Sequence, residues 1–270
     1  EFGTDFAMQM VIDAQPKAFS DLVRISGLSH GTDVWVGNAK DLIMSGTATI
    51  STAICTRDDI MTYLIQMGVE SSLAFTIMES VRKGKGLKED WIAAMKERDV
   101  PDWYIESCKK IKYMFPKAHA AAYVMMAWRI AYCKVNYPLA YYGAFFSIRA
   151  KAFSYELMCQ GRSRLESAMA DYKHRMDAAS DKEPGAVPLT NREEAAYGDM
   201  RVVQEMYARG FEFAPIDIFT AQSRSFQIVG NRLMPSLNSI EGLGDKAADA
   251  IVEAVKDGPF LSKDDFRERT

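Results

Sequence analysis

The sequence has few of the residues that build metal sites, disulfide frameworks and membrane spans. It contains four cysteines and three histidines in 270 residues. No Cys-x-x-Cys pair occurs, so a structural zinc site is not expected. Cysteines spaced in this way suit a reducing cytoplasm, where we place the protein. No run of about 18 apolar residues exists, so neither a transmembrane helix nor a membrane partner is expected.

The net charge of the chain is also small. A formal charge of −3 argues against a uniformly basic surface for nucleic acid. Any contact with DNA would then have to be local, and the basic stretches 81–88 and 109–117 are candidates. A solvated helix face explains each stretch as well, so both need further support. The chain starts at EFGT without an initiator methionine or a signal peptide, and we expect it to be a piece of a longer protein.

Helical periodicity dominates the chain and predicts a mainly α-helical fold. We also predict a loop at 25–33 and a linker at 177–190, where prolines and glycine cluster. At most one short β-hairpin is expected, from 216–219 and 225–229 around a Gly-Asn turn. The predicted helices are one or two within 5–23 broken near Pro16, then 33–43, 56–67, 71–82, 87–98, 101–113, 116–136, 139–150, another within 151–200, and 190–209.

Three side chains stand where helix caps are wanted. Asp58 and Ser71 are predicted to cap the helices at 56–67 and 71–82. Thr190 opens a capping-box pattern with Glu193 and predicts the start of the helix at 190.

The stretch IEGLGDKAADAIVEAVKDG (240–258) carries the most specific local pattern. Gly242 and Gly244 permit special backbone conformations and remove side chains that would block approach. The helix that follows turns its first amides outward, and with Lys246 beside them they suit a phosphate oxygen. Leu243 is then the apolar plug of the turn. The pattern resembles the helix-hairpin-helix motif, which grips a DNA backbone without reading sequence; the alternative is an ordinary αα-corner.

A second candidate site is FPKAHAAAY, at 115–123. Pro116 suits a first helical position, and Lys117 falls in the first turn, where a cation is disfavoured unless an anion joins it. His119 and Tyr123 are four residues apart and share one face. Lys117 and the helix end could hold phosphate oxygens, His119 could donate a hydrogen bond, and Tyr123 could pack on a base or sugar. The alternative is a buried helix with a satisfied histidine.

The longer string YMFPKAHAAAYVMMAWRIAYCKVNYPLAYYGAFFS (113–147) is similar to the fingers domain of bacterial family C replicative DNA polymerases. Segments 1–43 and 216–270 extend the resemblance and favour the PolC-type alpha subunits of Gram-positive bacteria. The resemblance implies a multi-helix fingers domain over 1–205, weakest at 160–205. It also implies a tandem helix-hairpin-helix module over 206–270, truncated at its C-terminus.

The same resemblance implies a fragment of a replicative DNA polymerase III. The fingers would bind the incoming dNTP and the template, and the helix-hairpin-helix module would grip the duplex during DNA replication. The intact protein would be a DNA-directed DNA polymerase, a nucleotidyltransferase whose Mg²⁺ ions are held by palm carboxylates outside this chain. No Asp-x-Asp motif stands in a strand-like context here, so no catalytic residue and no metal ligand is assigned. Expected partners are primer-template DNA and dNTP, with the sliding clamp and other replisome proteins for the full-length protein.

Site residues follow from the matching motifs. The nucleotide-binding set implied by the resemblance is Lys117, His119, Tyr123, Arg24, Ser29 and His30. The DNA-binding set is Gly242, Leu243, Gly244, Lys246, Lys109, Lys110 and Lys112. Plainer interpretations are that His30 caps the helix after it and that the three neighbouring lysines form a solvated face. A second function also stays open: a non-enzymatic helical DNA-binding or scaffold protein whose only nucleic-acid contact is the hairpin at 241–244.

Overall fold

The computed structural model describes all 270 residues, and they form two compact units, 1–129 and 130–270. Fourteen α-helices and one small sheet confirm the predicted mainly α-helical fold. None of the helices combines the length and the hydropathy that crossing a bilayer requires. The predicted boundary at 205/206 separates functional modules and need not coincide with the boundary between compact units. It stays a prediction.

The first unit packs its helices around one main apolar core. In α5 the buried residues Ala74, Ile77, Met78 and Val81 recur at the spacing of one helix face, which turns that face to the core. The helices are α1 (Asp5–Ala14), α2 (Phe19–Ser29), α3 (Lys40–Met44), α4 (Arg57–Gln66), α5 (Ser71–Arg82), α6 (Glu89–Lys96), α7 (Asp102–Lys110) and α8 (Lys117–Asn136), which continues past residue 129.

Helix α8 is long but mostly exposed. Only Ala120 and Val124 are buried, and they cluster with Val23 of α2. The short side chains around them keep the start of the helix accessible, because alanine extends little beyond the backbone.

The second unit combines helices with a three-stranded sheet. Strand β3 lies in the middle, with β1 parallel to it and β2 antiparallel. The elements are α9 (Pro138–Ala144), α10 (Tyr155–Met158), α11 (Arg162–Ser180), α12 (Asn191–Ala208), β1 (Glu212–Phe213), β2 (Gln227–Val229), β3 (Arg232–Met234), α13 (Asp245–Val255) and α14 (Lys263–Arg269).

The predicted hairpin is present, but one of its strands was misplaced. The turn at 230–231 joins β2 to β3, as expected for the Gly-Asn pair. The prediction of a strand at 216–219 is wrong. Asp217 accepts hydrogen bonds from the Phe219 amide at 3.0 Å and the Thr220 hydroxyl at 3.0 Å, which closes a local turn instead.

Two predictions near the start of the chain also fail. The loop expected at 25–33 is largely helical, because α2 continues through Ser29. Gly27 allows this: a Cβ there would lie 2.6 Å from the Cys55 carbonyl oxygen, so the helix can approach that backbone only without a side chain. The helix expected at 33–43 begins only at Lys40, since Gly37 takes a positive φ of 71°.

Helix capping differs from the prediction at two helices. Asp59, not Asp58, accepts the Thr56 amide at the start of α4, at 2.9 Å, and Glu70 rather than Ser71 caps α5. The capping box of Thr190 and Glu193 is confirmed.

The predicted linker at 177–190 is a connection inside the second unit. Its first four residues belong to α11. Arg175 then bonds to Glu193 at 2.7 Å and to two carbonyl oxygens of the connecting segment, at Val187 and Pro188. These bonds hold α11 and α12 together across the segment, so it does not act as a free linker.

Candidate functional site

Four aromatic rings form a row at the start of α8. The ring centroids of His30 and Phe115 lie 4.9 Å apart, those of Phe115 and His119 5.2 Å, and those of His119 and Tyr123 4.8 Å. His119 and Tyr123 are four residues apart on α8, which aligns their rings, and Phe115 lies two residues before the helix begins. His119 and Tyr123 are exposed. Such a row offers ring faces on which a base could stack.

The row brings together three of the six residues predicted for nucleotide binding, and it adds Phe115, which the sequence analysis missed. Its place in the FPKAHAAAY stretch, directly before Pro116, is a signal that could have found it. His30 lies at the C-terminal end of α2, not at the start of the next helix. Its Nε2 is 3.2 Å from the Glu1 carboxylate, which fixes the ring at one end of the row.

Three hydrogen bonds join the start of α8 to the first turn of α4. The Arg57 amide donates to the Phe115 carbonyl at 3.1 Å. The Lys117 amide donates to Asp58 Oδ2 at 2.7 Å, and the Lys117 ammonium donates to Asp59 Oδ1 at 3.1 Å. Asp58 therefore caps α8 rather than its own helix.

The anion that a cation at this helix end requires is thus supplied by the protein. The Lys117 side chain is still 44% exposed, whereas that of Asp59 is only 12% exposed. Lys117 can reach a ligand, but its backbone amide is already bonded to a carboxylate. Nothing in the sequence signalled this pairing, because the partners lie 58 and 59 residues apart.

A cavity of about 660 Å³ opens on the α4 side of Lys117. It brings Lys117 together with Arg24, a second residue of the predicted nucleotide set. The rest of its wall comes from the loop after α3, from α4 and from α7: Thr47, Ser51, Thr52, Ala53, Asp59, Thr62, Tyr63, Gln66, Trp103 and Tyr104.

Burial shapes the chemistry of two groups near this cavity. Tyr104 is buried and its hydroxyl has no partner in the protein. Burial raises the pKa of Tyr104 far above its usual value, so the group stays neutral. Burial, followed by the neighbouring Asp59 carboxylate, also raises the pKa of the Cys55 thiol, so this cysteine is not a nucleophile at neutral pH.

Of the remaining predicted residues of the first unit, three are bonded to other groups of the protein and one is not. The Ser29 hydroxyl donates to the Ser26 carbonyl at 2.9 Å. Lys109 pairs with Glu106 at 2.7 Å, and Lys110 donates to the Gly37 carbonyl at 2.8 Å. Lys112 is exposed and its ammonium has no ion-pair partner.

The glycine hairpin of the second unit leaves its backbone open. Gly242 has a φ of +82°, and Gly244 is the N-cap of α13, with no side chain bonded to the first amides of the helix. A Cβ at either glycine would meet nothing within 4 Å. Leu243 is half-buried against the small core that includes Ile251. Lys246 is exposed without an ion-pair partner.

Two carboxylates flank the hairpin. Glu241 accepts a hydrogen bond from the Ser154 hydroxyl at 2.6 Å, and Asp245 accepts one from the Asn238 amide at 3.1 Å. Arg224 lies 3.6 Å from Asp245 and offsets part of its charge. The segment before the hairpin is a single short 3₁₀ turn over Leu237–Ser239 rather than a longer helix.

No set of three or more His, Cys, Asp or Glu side chains converges in a geometry that could hold a metal ion. The residues present therefore do not form a Mg²⁺ site, and we derive no step through a metal here.

Comparison with known proteins covers the whole chain. Residues 1–99 match the bacterial DNA polymerase III alpha subunit finger domain, and residues 210–270 match a helix-hairpin-helix motif. All of the chain is similar to the DNA polymerase III PolC-type of Bacillus subtilis, with 51% identity over 269 residues. The predicted resemblance to PolC-type DNA polymerase III is confirmed. The proteins of Clostridium perfringens and Staphylococcus haemolyticus are 49% and 51% identical over 270 residues.

The chain spans 18% of the length of these PolC-type relatives. The finger-domain match contains Arg24, Ser29 and His30, and it ends before the start of α8. The helix-hairpin-helix match contains the whole glycine hairpin and α13.

Proposed function

We propose that this chain is the fingers and helix-hairpin-helix part of a replicative DNA polymerase III of the PolC type. In the intact protein, residues 1–205 bind the incoming dNTP and the template, and residues 206–270 grip the backbone of the primer-template duplex. The observation that carries the proposal is the row of His30, Phe115, His119 and Tyr123 beside a half-exposed Lys117. The whole-chain similarity to PolC-type polymerases supports it.

At the nucleotide site, each side chain has a distinct task. The Lys117 ammonium holds phosphate oxygens through charge-assisted hydrogen bonds. His119 donates a hydrogen bond, and Tyr123 packs against the base or sugar. Arg24 adds a second cation within the cavity. Ser29 and His30 complete the set at the end of α2.

At the DNA site, backbone groups dominate. The open amides at the start of α13 and the Lys246 ammonium would hold phosphate oxygens without reading bases. Leu243 anchors the hairpin in the core below. Lys109, Lys110 and Lys112 would line the template path, with Lys112 the one whose ammonium is unpaired.

Catalysis belongs to the intact enzyme. Mg²⁺ held by palm carboxylates outside this chain would activate the primer hydroxyl and stabilise the leaving pyrophosphate. Sliding clamp and replisome partners, and a cytoplasmic location, are part of the same proposal. These 270 residues alone are expected to have no polymerase activity.

Lys117→Ala in the intact polymerase tests the nucleotide site. Nucleotide incorporation should fall by about a hundredfold, as for the loss of one group that stabilises transition-state charge, with DNA affinity nearly unchanged. Lys17→Ala, a change at an exposed lysine, is the matched control. An unaltered incorporation rate in Lys117→Ala would instead favour a non-enzymatic DNA-binding or scaffold role.

A further inference from the structure

We propose that the loop 83–88, between α5 and α6, and the segment 109–113 form one basic surface that binds single-stranded DNA, with Tyr113 stacking on a base. Each of the two basic stretches taken alone could equally be a solvated face, but the structure brings them together in the first unit. The inference rests on the proposed function in taking the bound strand to be the template. It adds Lys85 and Tyr113 to the residues that contact DNA.

A glycine permits the contact between the two stretches. Gly84 has a φ of +68°, and a Cβ there would lie 2.6 Å from the Lys112 carbonyl oxygen and 3.1 Å from the Lys112 Cα. Only a residue without a side chain can lie so close to that backbone. The Met114 amide also donates to the Arg82 carbonyl at 3.3 Å. The loop that carries Lys85 therefore lies against the segment that carries Lys112.

Hydrogen bonds fix the backbone of both stretches before any ligand binds. In the loop, the Lys85 amide donates to the Ser80 carbonyl at 3.0 Å, and the Ser80 hydroxyl donates to the Gly86 carbonyl at 2.9 Å. In the other segment, the Thr32 amide donates to the Tyr113 carbonyl at 2.9 Å, and the Tyr113 amide donates to the Thr32 carbonyl at 3.3 Å. Because this backbone is already ordered, binding a strand costs the protein little conformational entropy there.

The surface is positively charged, and two of its cations are unpaired. The segments 82–88 and 109–113 contain four and three cations and no acidic residue. Other groups of the first unit engage five of these cations, namely Arg82, Lys83, Lys88, Lys109 and Lys110. Lys85 and Lys112 are exposed and have no ion-pair partner. Glu89 and Asp90 follow the loop in the first turn of α6, where the helix dipole favours them. Two unpaired ammonium groups on adjoining segments suit the phosphates of one strand.

Tyr113 provides the contact that favours a single strand over a duplex. The residue directly follows Lys112 and is 42% exposed. An exposed aromatic ring beside phosphate-binding cations can stack on an unpaired base, and it does so whatever the base is. In a duplex the bases already stack on one another, so the ring gains no such contact. The surface is therefore expected to bind single strands without sequence preference, whereas duplex binding remains with the glycine hairpin.

Binding of a labelled oligo(dT) to the 270-residue chain, measured by fluorescence anisotropy over a range of salt concentrations, tests the surface. Lys85→Gln should weaken binding and reduce the slope of log affinity against log salt by about 0.7, the value for one phosphate contact on a single strand. Adding Lys112→Gln should lower the slope by the same amount again. Tyr113→Ala should weaken binding about tenfold with an unchanged slope, since stacking releases no counterion. Lys17→Gln, at an exposed lysine before α2, is the control and should have no effect.

Duplex DNA and the hairpin variants provide the second arm. The changes at Lys85 and Tyr113 should leave duplex affinity nearly unchanged, whereas Gly242→Val with Gly244→Val should weaken duplex binding and spare oligo(dT). If the Lys85 and Tyr113 variants bind oligo(dT) as tightly as Lys17→Gln does, the surface proposal is overturned, and incorporation by Lys117→Ala in the intact enzyme still decides the proposed function. If the lysine changes weaken binding and Tyr113→Ala does not, the surface holds any polyanion and its assignment to single strands is wrong.

Discussion

Helices α8 and α13 both have a lysine in the first turn, but the groups at the two helix starts have different hydrogen-bond partners. At α8, a carboxylate from α4 caps the first amide, and the lysine is paired with a second carboxylate. At α13, a glycine provides the cap, no side chain is bonded to the first amides, and Lys246 is unpaired. A phosphate can bind at α13 by displacing water alone. At α8 it must compete with partners that the protein already supplies.

The comparison teaches that a basic residue at a helix start does not by itself identify an open anion site. The difference lies in what another segment brings to that end. Because the Lys117 side chain is 44% exposed, its ammonium can turn from Asp59 to a ligand in solvent. The start of α8 therefore suits a ligand that binds and leaves often, and the start of α13 suits one held throughout.

The largest effect is expected when side chains are added at the glycines before α13, where the first amides are unpaired. Gly242→Val combined with Gly244→Val should weaken binding of duplex DNA at low salt by about tenfold or more, whatever its sequence, because side chains then keep phosphates from the amides. Fluorescence anisotropy with labelled duplexes measures this. Gly244→Ala alone should have a smaller effect in the same direction.

Gly198→Ala is the matched control for the hairpin changes. It adds a Cβ at another site where nothing lies within 4 Å, but on α12. Equal DNA affinity for the hairpin variants, Gly198→Ala and the unchanged protein would contradict a phosphate-binding role for the hairpin.

A second prediction concerns the start of α8, where the Lys117 amide is bonded to Asp58. Asp58→Ala removes the acceptor of the Lys117 amide and should lower the free energy of unfolding by about 1 kcal/mol, as for other lost helix caps. Affinity for pyrophosphate should rise, because a competing anion is gone. Urea denaturation and calorimetry measure the two effects.

Asp264→Ala provides the comparison for Asp58→Ala. Its carboxylate is in the first turn of α14 and 85% exposed, so little change in stability is expected. If Asp58→Ala and Asp264→Ala behave alike, the contact seen at α8 does not cap the helix in solution.

The smallest effect is expected for a change at Lys246, in the first turn of α13. Lys246→Gln should weaken duplex binding modestly and reduce the slope of log affinity against log salt by about 0.9, the value for one lost phosphate contact. Lys256→Gln is the control at the C-cap of the same helix, since that lysine is paired with Glu253 at the opposite end. An unchanged slope for Lys246→Gln would remove this lysine from the DNA site.

Local patterns predicted the regular parts of the fold well. The helix at 71–82 has the predicted bounds, and α8 ends at the predicted residue, Asn136. Two of the failures share one cause, which is contact with a distant segment. A glycine in α2 looks like a loop signal until the Cys55 backbone is placed against it, and Asp58 looks like the cap of α4 until α8 is in place.

The candidate site was predictable to a similar extent. Spacing on one helix was enough to put His119 and Tyr123 on a shared face, and their rings do stack. The partners of Lys117 could not be found in this way, because Asp58 and Asp59 come from an earlier helix with no matching period. The same holds for the cavity, whose wall combines residues from five separate segments of the first unit.

The two carboxylate oxygens of Asp59 have different hydrogen-bond partners. One accepts the amides of Cys55 and Thr56 and so closes the turn that begins α4, while the other faces the Lys117 ammonium. Release of the lysine leaves the first oxygen and its turn undisturbed. The exchange of an internal partner for an incoming one is then confined to the lysine side chain and leaves the turn at the start of α4 in place.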